Sequence, residues 1–311
     1  MKLGRRKSPD RSPDRDGHLT FLTPDEADLV RSLVREAFAE HGREVTVFAD
    51  HVQDDQGAQF GLWNVAAACR NEPRGQAAWA RVVANHVRRV LDTTEEDVFE
   101  GLTADQVAAR TYARLLSADS VPEPGWFSYA REIAPGLLEV LAFDLPETVV
   151  MLSDETVARF GGAVALREAG LANLRALPVE HQEQISVPDG GHFQVLLGES
   201  AYTASRVLVM SELLAQMFGP VTAPYGVLAA VPNRSQAVLH VIRDETFVLS
   251  INHMTRFALA GASDSPGPLS PNVYWWRADT WQQVSYFDNE KITVRLDNEL
   301  GDVLEQLTGQ R

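Results

Sequence analysis

The chain has 311 residues, 45% hydrophobic and 23% charged, enough for one large or two modest globular domains. Asp and Glu number 43 against 28 Lys and Arg, a formal net charge of −15, which disfavours nucleic acid and anionic membranes as partners and favours a basic or amphipathic protein. The single cysteine, Cys69, excludes an internal disulfide and a cysteine-based zinc site within one chain, and no apolar run approaches the ~20 residues of a membrane span. With no apolar segment after Arg5-Arg6, neither a secretory nor a twin-arginine signal is read, and a cytoplasmic location is expected.

Residues 1–20 contain Ser8-Pro9-Asp10-Arg11 repeated at once as Ser12-Pro13-Asp14-Arg15. They hold six basic and three acidic side chains, a net of +3, so the remainder carries −18. So polar a segment has little to bury and is predicted to be a disordered tail. From Thr23 the signals become helical. Thr23 with Glu26 forms a capping box, Pro24 suits the first helical position, and Gly42 supplies the stop. Leu29, Val30, Leu33, Val34, Ala37 and Phe38 fall on one face between them. A strand over 45–48, a turn over 54–57, a return strand over 58–63 and a helix over 76–91 follow. That helix turns Trp79, Val82, Val83, His86, Val87 and Val90 inward. This α-β-β-α succession predicts an N-terminal domain over residues 21–118.

Residues 104–116 open with a helix cap, Thr103 with Gln106, yet alternate in part like a strand, so both readings stand. The C-terminal domain, 119–311, is predicted to hold strands over 138–143 and 148–152 and a short helix capped by Ser153. A helix over 163–177, a strand over 193–197, a helix over 201–218 and a strand over 226–231 come next. A helix over 245–259, a Gly/Ser/Pro loop, a hairpin of 273–277 with 282–287, a strand over 292–296 and a helix over 300–307 complete it. Strands and helices mix without strict β-α-β alternation, so the fold class is α+β, with mixed or antiparallel sheets and packed helices in two sandwich-like subdomains.

Leu62-Trp63-Asn64, Phe143-Asp144-Leu145-Pro146, Glu168-Ala169-Gly170-Leu171-Ala172-Asn173-Leu174, Tyr202-Thr203-Ala204-Ser205-Arg206-Val207-Leu208 and Val231-Pro232-Asn233-Arg234 are similar to stretches of the YtpQ-like family of uncharacterised bacterial proteins. They keep the family's order and span the chain from about residue 22. Ser235 stands where the family tends to Asp, and the tryptophan-rich hairpin is particular to this chain. The resemblance implies an architecture and transfers no catalytic residue.

Candidate sites compete with plainer structural roles. Gly198-Glu199-Ser200-Ala201-Tyr202 lies between a predicted strand and helix, the context of a nucleophile elbow, but Tyr202 replaces the second glycine that such a turn requires. Ser200 therefore reads first as a helix cap. As a nucleophile it would need His240 or His253 as base and Asp244 as orienter. Asp189-Gly190-Gly191-His192 places the imidazole of His192 beside a flexible turn, which a hairpin explains equally well. Asp50-His51-Val52-Gln53-Asp54-Asp55 has metal-ligating types, although adjacent strand residues point to opposite faces. His86 reads as a hydrogen-bonded core histidine, and Cys69 as a small buried residue.

Tyr274, Trp275, Trp276 and Trp281 cluster on one hairpin. Alternation sends Tyr274 and Trp276 to one face and Trp275 to the other, as core or as partner-binding anchors. No Gly-x-Gly-x-x-Gly, Walker A, His-Glu-x-x-His or EF-hand pattern occurs, and no cofactor or metal is expected. Two readings result: a non-enzymatic interaction or regulatory protein, immunity- or chaperone-like, using an acidic surface; or a hydrolase whose site assembles in the fold around Ser200 or His192.

Overall fold

The computed structural model describes residues 15–19, 21–49, 51–54, 59–91, 98–121, 127–145, 149–265, 267–288, 291–296 and 299–309. The chain divides into two compact units, Met1–Thr93 and Thr94–Arg311. Each is α+β, and every strand pairing among the described residues is antiparallel.

In the first unit, α1 (Pro24–Glu40) starts as its cap predicts: Thr23 Oγ1 accepts the Glu26 N–H, and Glu26 Oε2 accepts the Thr23 N–H at 2.9 Å. Gly42 ends it in the left-handed region at φ 73°. Val30, Val34 and Phe38 are buried, with Leu29 and Leu33 packed partly against them. Strands β1 (Val45–Val47), β2 (His51–Asp54) and β3 (Gln59–Gly61) form a three-stranded sheet. The predicted single hairpin is thus corrected: the chain has already reversed by His51, whose O accepts the Phe48 N–H, and 51–54 is itself a strand. The buried Asp54 carboxylate lies 3.5 Å from Arg43, which holds that strand's end. Helix α2 (Trp63–Arg70) follows, then a 3₁₀ turn at Gln76–Ala78 and α3 (Trp79–Leu91), burying Trp79, Val83 and Val87.

Of the predicted tail, residues 1–14 and 20 lie outside the described residues. Residues 15–19 are anchored through Asp16 and Leu19, which shortens the expected disordered segment. Asp16 accepts the N–H groups of His18 and Leu19 and pairs with Arg31 at 3.0 Å, while Leu19 is fully buried. Against the burial that would raise it, Arg31 and these N–H groups bring the Asp16 pKa down to about 2.

The second unit opens with α4 (Ala104–Arg110), capped by Thr103 and Gln106, running directly into β4 (Thr111–Ser117). Both signals in that stretch were real, one after the other. β4 pairs along its whole length with β6 (Leu137–Asp144), from Thr111↔Phe143 to Ser117↔Leu137. That pairing draws residues 94–118 into the second unit, so the boundary falls at 93/94 and not at 118/119. β5 (Arg131–Ala134) and β7 (Val149–Met151) pair with the opposite edge of β6. α5 (Asp154–Arg159), capped by Ser153, leads into α6 (Gly162–Ala176). α6 packs tightly on β4: a Cβ on Gly170 would lie 2.5 Å from Ala113 N. Across this contact Arg167 Nε donates to the buried Glu139 carboxylate at 2.5 Å, and Arg167 Nη2 donates to Tyr129 O.

The rest of the unit is a six-stranded sheet in the order β13-β12-β10-β11-β9-β8. Its strands are β8 (His181–Ser186), β9 (His192–Leu197), β10 (Val227–Ala230), β11 (Gln236–Val241), β12 (Val273–Arg277) and β13 (Thr280–Gln283). One face packs on a 3₁₀ segment at Ala204–Val209 and on α7 (Met210–Phe218). The other packs on α8 (Phe247–Asp264) and α9 (Glu299–Gly309). The predicted helix over 201–218 is α-helical only from Met210. The predicted second hairpin strand breaks at Val284, whose N–H returns to Val273 O, and β14 (Ser285–Asp288) pairs with β15 (Lys291–Val294) in a separate ribbon.

Candidate functional site

Net charge is unequally divided. The first unit holds 14 basic and 14 acidic side chains, the second 14 and 29, so the whole formal charge of −15 belongs to the second. That unit also contains an open cleft of about 480 Å³, lined by Glu180, Glu199, Asn233, Ser235, Gln236 and His181 among others. Its wall is built where β8 begins and β9 ends. Glu180 Oε2 accepts the Glu199 N–H at 2.8 Å, bridging the two strand ends. Glycine is required between them, since a Cβ on Gly198 would sit 2.4 Å from Thr203 Oγ1 and 3.0 Å from Glu180 Oε1. The opposite wall is the turn after β10. Asn233 Oδ1 accepts the Ser235 N–H, and its Nδ2 donates to Gln236 Oε1 at 3.0 Å and to Gly261 O at 3.2 Å. The cleft offers two carboxylates among neutral polar groups, a surface suited to cations and hydrogen-bond donors.

Ser200 lies beside this cleft, half-buried. Its Oγ accepts the Tyr202 N–H at 3.2 Å, a local turn bond that replaces the expected helix cap because no α-helix starts there. The histidines proposed as its base are elsewhere. His192, the other candidate, begins β9 and Ser200 follows its far end; the five strand steps from His192 to Leu197 span about 17 Å. His192 is exposed, and its N–H donates to Ser250 Oγ at 3.1 Å. His240 is 4% exposed and donates from Nδ1 to His192 O at 2.7 Å, with the two rings edge to face at 4.7 Å. Burial chiefly lowers its pKa, to about 4. His253 Nε2 donates to Asp189 Oδ2 at 2.6 Å, not to Asp244, which instead accepts from Thr246. A His–Asp pair therefore exists, but Ser200 belongs to the other end of the sheet. The elbow geometry is not assembled.

Among the described residues, no group of three or more His, Cys, Asp or Glu is placed to hold a metal ion. Of the acidic run near His51, Asp50 and Asp55 lie outside the described residues. His51 stacks on Phe48 at 4.5 Å, and Asp54 pairs with Arg43. His86 is half-buried on α3, its pKa lowered to about 4 by burial and by Arg89. Cys69 is fully buried, and burial pushes its thiol up to about 12, an inert core residue.

The aromatic hairpin alternates as predicted, but both faces are covered. Tyr274 is 1% exposed; its hydroxyl donates to Pro135 O at 3.0 Å and lies 2.8 Å from Ser270 Oγ. Trp275, 3% exposed, packs on the other face and donates to Tyr225 O at 2.9 Å. Trp276 and Trp281 are half-buried against the same core as Tyr274. As partner-binding anchors Tyr274 and Trp275 are corrected to core residues, because each sheet face is already occupied. Glu180, Glu199 and Gln236 were not singled out from the sequence, since lone carboxylates and amides carry no spacing signal. The stretches Tyr202–Leu208 and Val231–Arg234 meet next to this cleft, where Ala204 N–H donates to Arg234 O at 3.0 Å. No helix among the described residues is long and apolar enough to cross a membrane. No family model matches the chain, and no curated protein or solved structure shows significant similarity to it.

Proposed function

We propose that this protein is a non-enzymatic interaction or regulatory protein, immunity- or chaperone-like, that receives basic side chains of a protein partner in the cleft between Glu180, Glu199, Asn233 and Gln236. What carries the reading is the coincidence of that open acidic cleft with the unit that holds all the net charge. The motifs that resemble the YtpQ-like family, Tyr202–Leu208 and Val231–Arg234, support the same region as the one to test. A hydrolase with its site around Ser200 or His192 is the weaker alternative, because the Ser200 hydroxyl accepts the Tyr202 N–H and the His–Asp pair of His253 and Asp189 lies at the other end of β9.

The test is binding of a fluorescent Arg/Lys-rich peptide to the full chain, followed by anisotropy at 50 and 200 mM salt. Glu180→Gln with Glu199→Gln keeps side-chain shape and removes both charges. The double variant is expected to bind at least about tenfold more weakly, and wild-type affinity to fall with salt. Absence of binding, or affinity indifferent to both charges and salt, would overturn the proposal.

A further inference from the structure

A second cluster in the same unit has the opposite sign. Arg114, on β4, is 8% exposed, and its Nε is fully buried with no hydrogen-bond acceptor. It makes no ion pair among the described residues. Its guanidinium lies 5.9 Å from the ring centroid of Tyr202, which stacks on Tyr112 at 4.2 Å. The Tyr202 hydroxyl is also buried and makes no hydrogen bond of ordinary geometry, although the Asp144 carboxylate faces it. Arg234 approaches from the turn after β10, its side chain laid over Gly267, where a Cβ would lie 2.8 Å from Arg234 Cδ. Backbone bonds hold the three segments together: Ala204 N–H donates to Arg234 O, and Leu115 N–H donates to Ser205 Oγ, each at 3.0 Å.

Buried polar groups are almost always satisfied, and a buried unpaired cation is costly, so two such groups side by side ask for a ligand. Burial lowers the pKa of Arg114 to about 10; Arg234 lowers it too, while Tyr202 and Asp144 oppose. Burial alone lowers that of Arg234. Both remain cationic at neutral pH. Asp144 is the carboxylate that faces the cluster: after burial, its charge and its approach to the hydroxyl raise the Tyr202 pKa, yet it forms an ion pair with neither guanidinium among the described residues.

We propose that Arg114, Arg234 and the Tyr202 hydroxyl form a binding site for a small oxyanion, a phosphoryl or carboxylate group. Two guanidinium donors and a phenolic O–H suit such a group, and the half-exposed Arg234 is its access from solvent. The site is separate from the acidic cleft, although Asn233 and Ser235, on either side of Arg234, line that cleft.

The experiment titrates inorganic phosphate and, separately, succinate into the full chain, read by thermal shift and calorimetry. Arg114→Met and Arg234→Met remove one charge each at similar volume, Asp144→Asn removes the opposing carboxylate, and the exposed Arg256→Met is the control. Saturable stabilisation by one of the two anions is expected, at least about tenfold weaker in either arginine variant, unchanged in Arg256→Met and tighter in Asp144→Asn. Phosphate acting alone identifies a phosphoryl group, and succinate acting alone a carboxylate. Should Arg114→Met not fold, Arg234→Met and Asp144→Asn on their own decide. The proposal is overturned if neither anion stabilises the wild type up to tens of millimolar, or if the effect survives Arg234→Met unchanged.

Discussion

Lowering the pH from 8 to 5 is expected to cost the second unit about 2 kcal/mol of stability through His240 alone. The ring is 4% exposed, and Nδ1 is committed to His192 O, so a second proton must enter on the buried Nε2. Burial is the main reason its pKa falls from 6.5 to about 4; His192 and Arg243 add to the shift, and the His192 carbonyl and Asp244 oppose it. Between those values the unfolded chain binds a proton that the folded chain refuses. Stability from this group is therefore complete above about pH 6.5, declines as pH falls, and levels off below about pH 4.

At pH 5 the unfolded imidazole is about 30-fold more protonated than neutral, which gives the 2 kcal/mol; the limit is about 3 kcal/mol. Urea unfolding at pH 8, 6 and 5 measures it, with amide exchange in β10 and β11 reporting on this unit. His240→Gln supplies a neutral donor with no titration and should flatten the decline by about that amount. Asp16 does not interfere, since its contribution is lost only below about pH 3.9 and it belongs to the first unit. If His240→Gln loses as much stability as wild type between pH 8 and 5, the reasoning is wrong.

Glu139→Gln should destabilise by about 3–5 kcal/mol, because it leaves the buried Arg167 uncompensated; Glu139→Leu with Arg167→Met should be close to neutral. Denaturant midpoints of the single and double variants check both values. In the β12–β13 turn, Ala278 and Asp279 both hold positive φ, 48° and 59°, the geometry of a two-residue turn that favours Asn-Gly. Ala278→Asn with Asp279→Gly should stabilise by about 1 kcal/mol, and a lower melting temperature would contradict it.

Local signals were legible wherever a residue type alone decides the backbone. The Thr23–Glu26 and Thr103–Gln106 boxes and Gly42 fixed helix ends to within a residue. The strands that escaped reading are those whose partners are distant. β8, His-Gln-Glu-Gln-Ile-Ser, is a polar edge strand held only by β9, and its alternation is too weak to announce it. β11, Gln236–Val241, is apolar on both faces, a pattern that periodicity cannot separate from a buried helix. The domain boundary failed for the same reason, since only the β4–β6 pairing assigns residues 104–117. In the candidate site, Gly198 and Ser200 drew notice as a strand-to-helix junction, but the isolated Glu180 and Arg114 acquire meaning only from what stands beside them.

The charge of the second unit shows why its two proposed sites can coexist. Its formal −15 understates the surface, because Arg114 and Arg206 are buried, form no ion pair among the described residues and do not face solvent. The outward field is therefore more acidic than the sequence count, and it draws cations over the Debye length of about 8 Å at physiological salt. The inward cations act over shorter range in a medium that screens them poorly, which is the physical ground for the proposed oxyanion site. Attraction of a basic partner should fade with salt, while the grip of Arg114 on an oxyanion depends on burial. The same arrangement explains why Asp144 matters: it is a carboxylate inside the cluster, and its charge raises the Arg114 pKa where burial and Arg234 lower it.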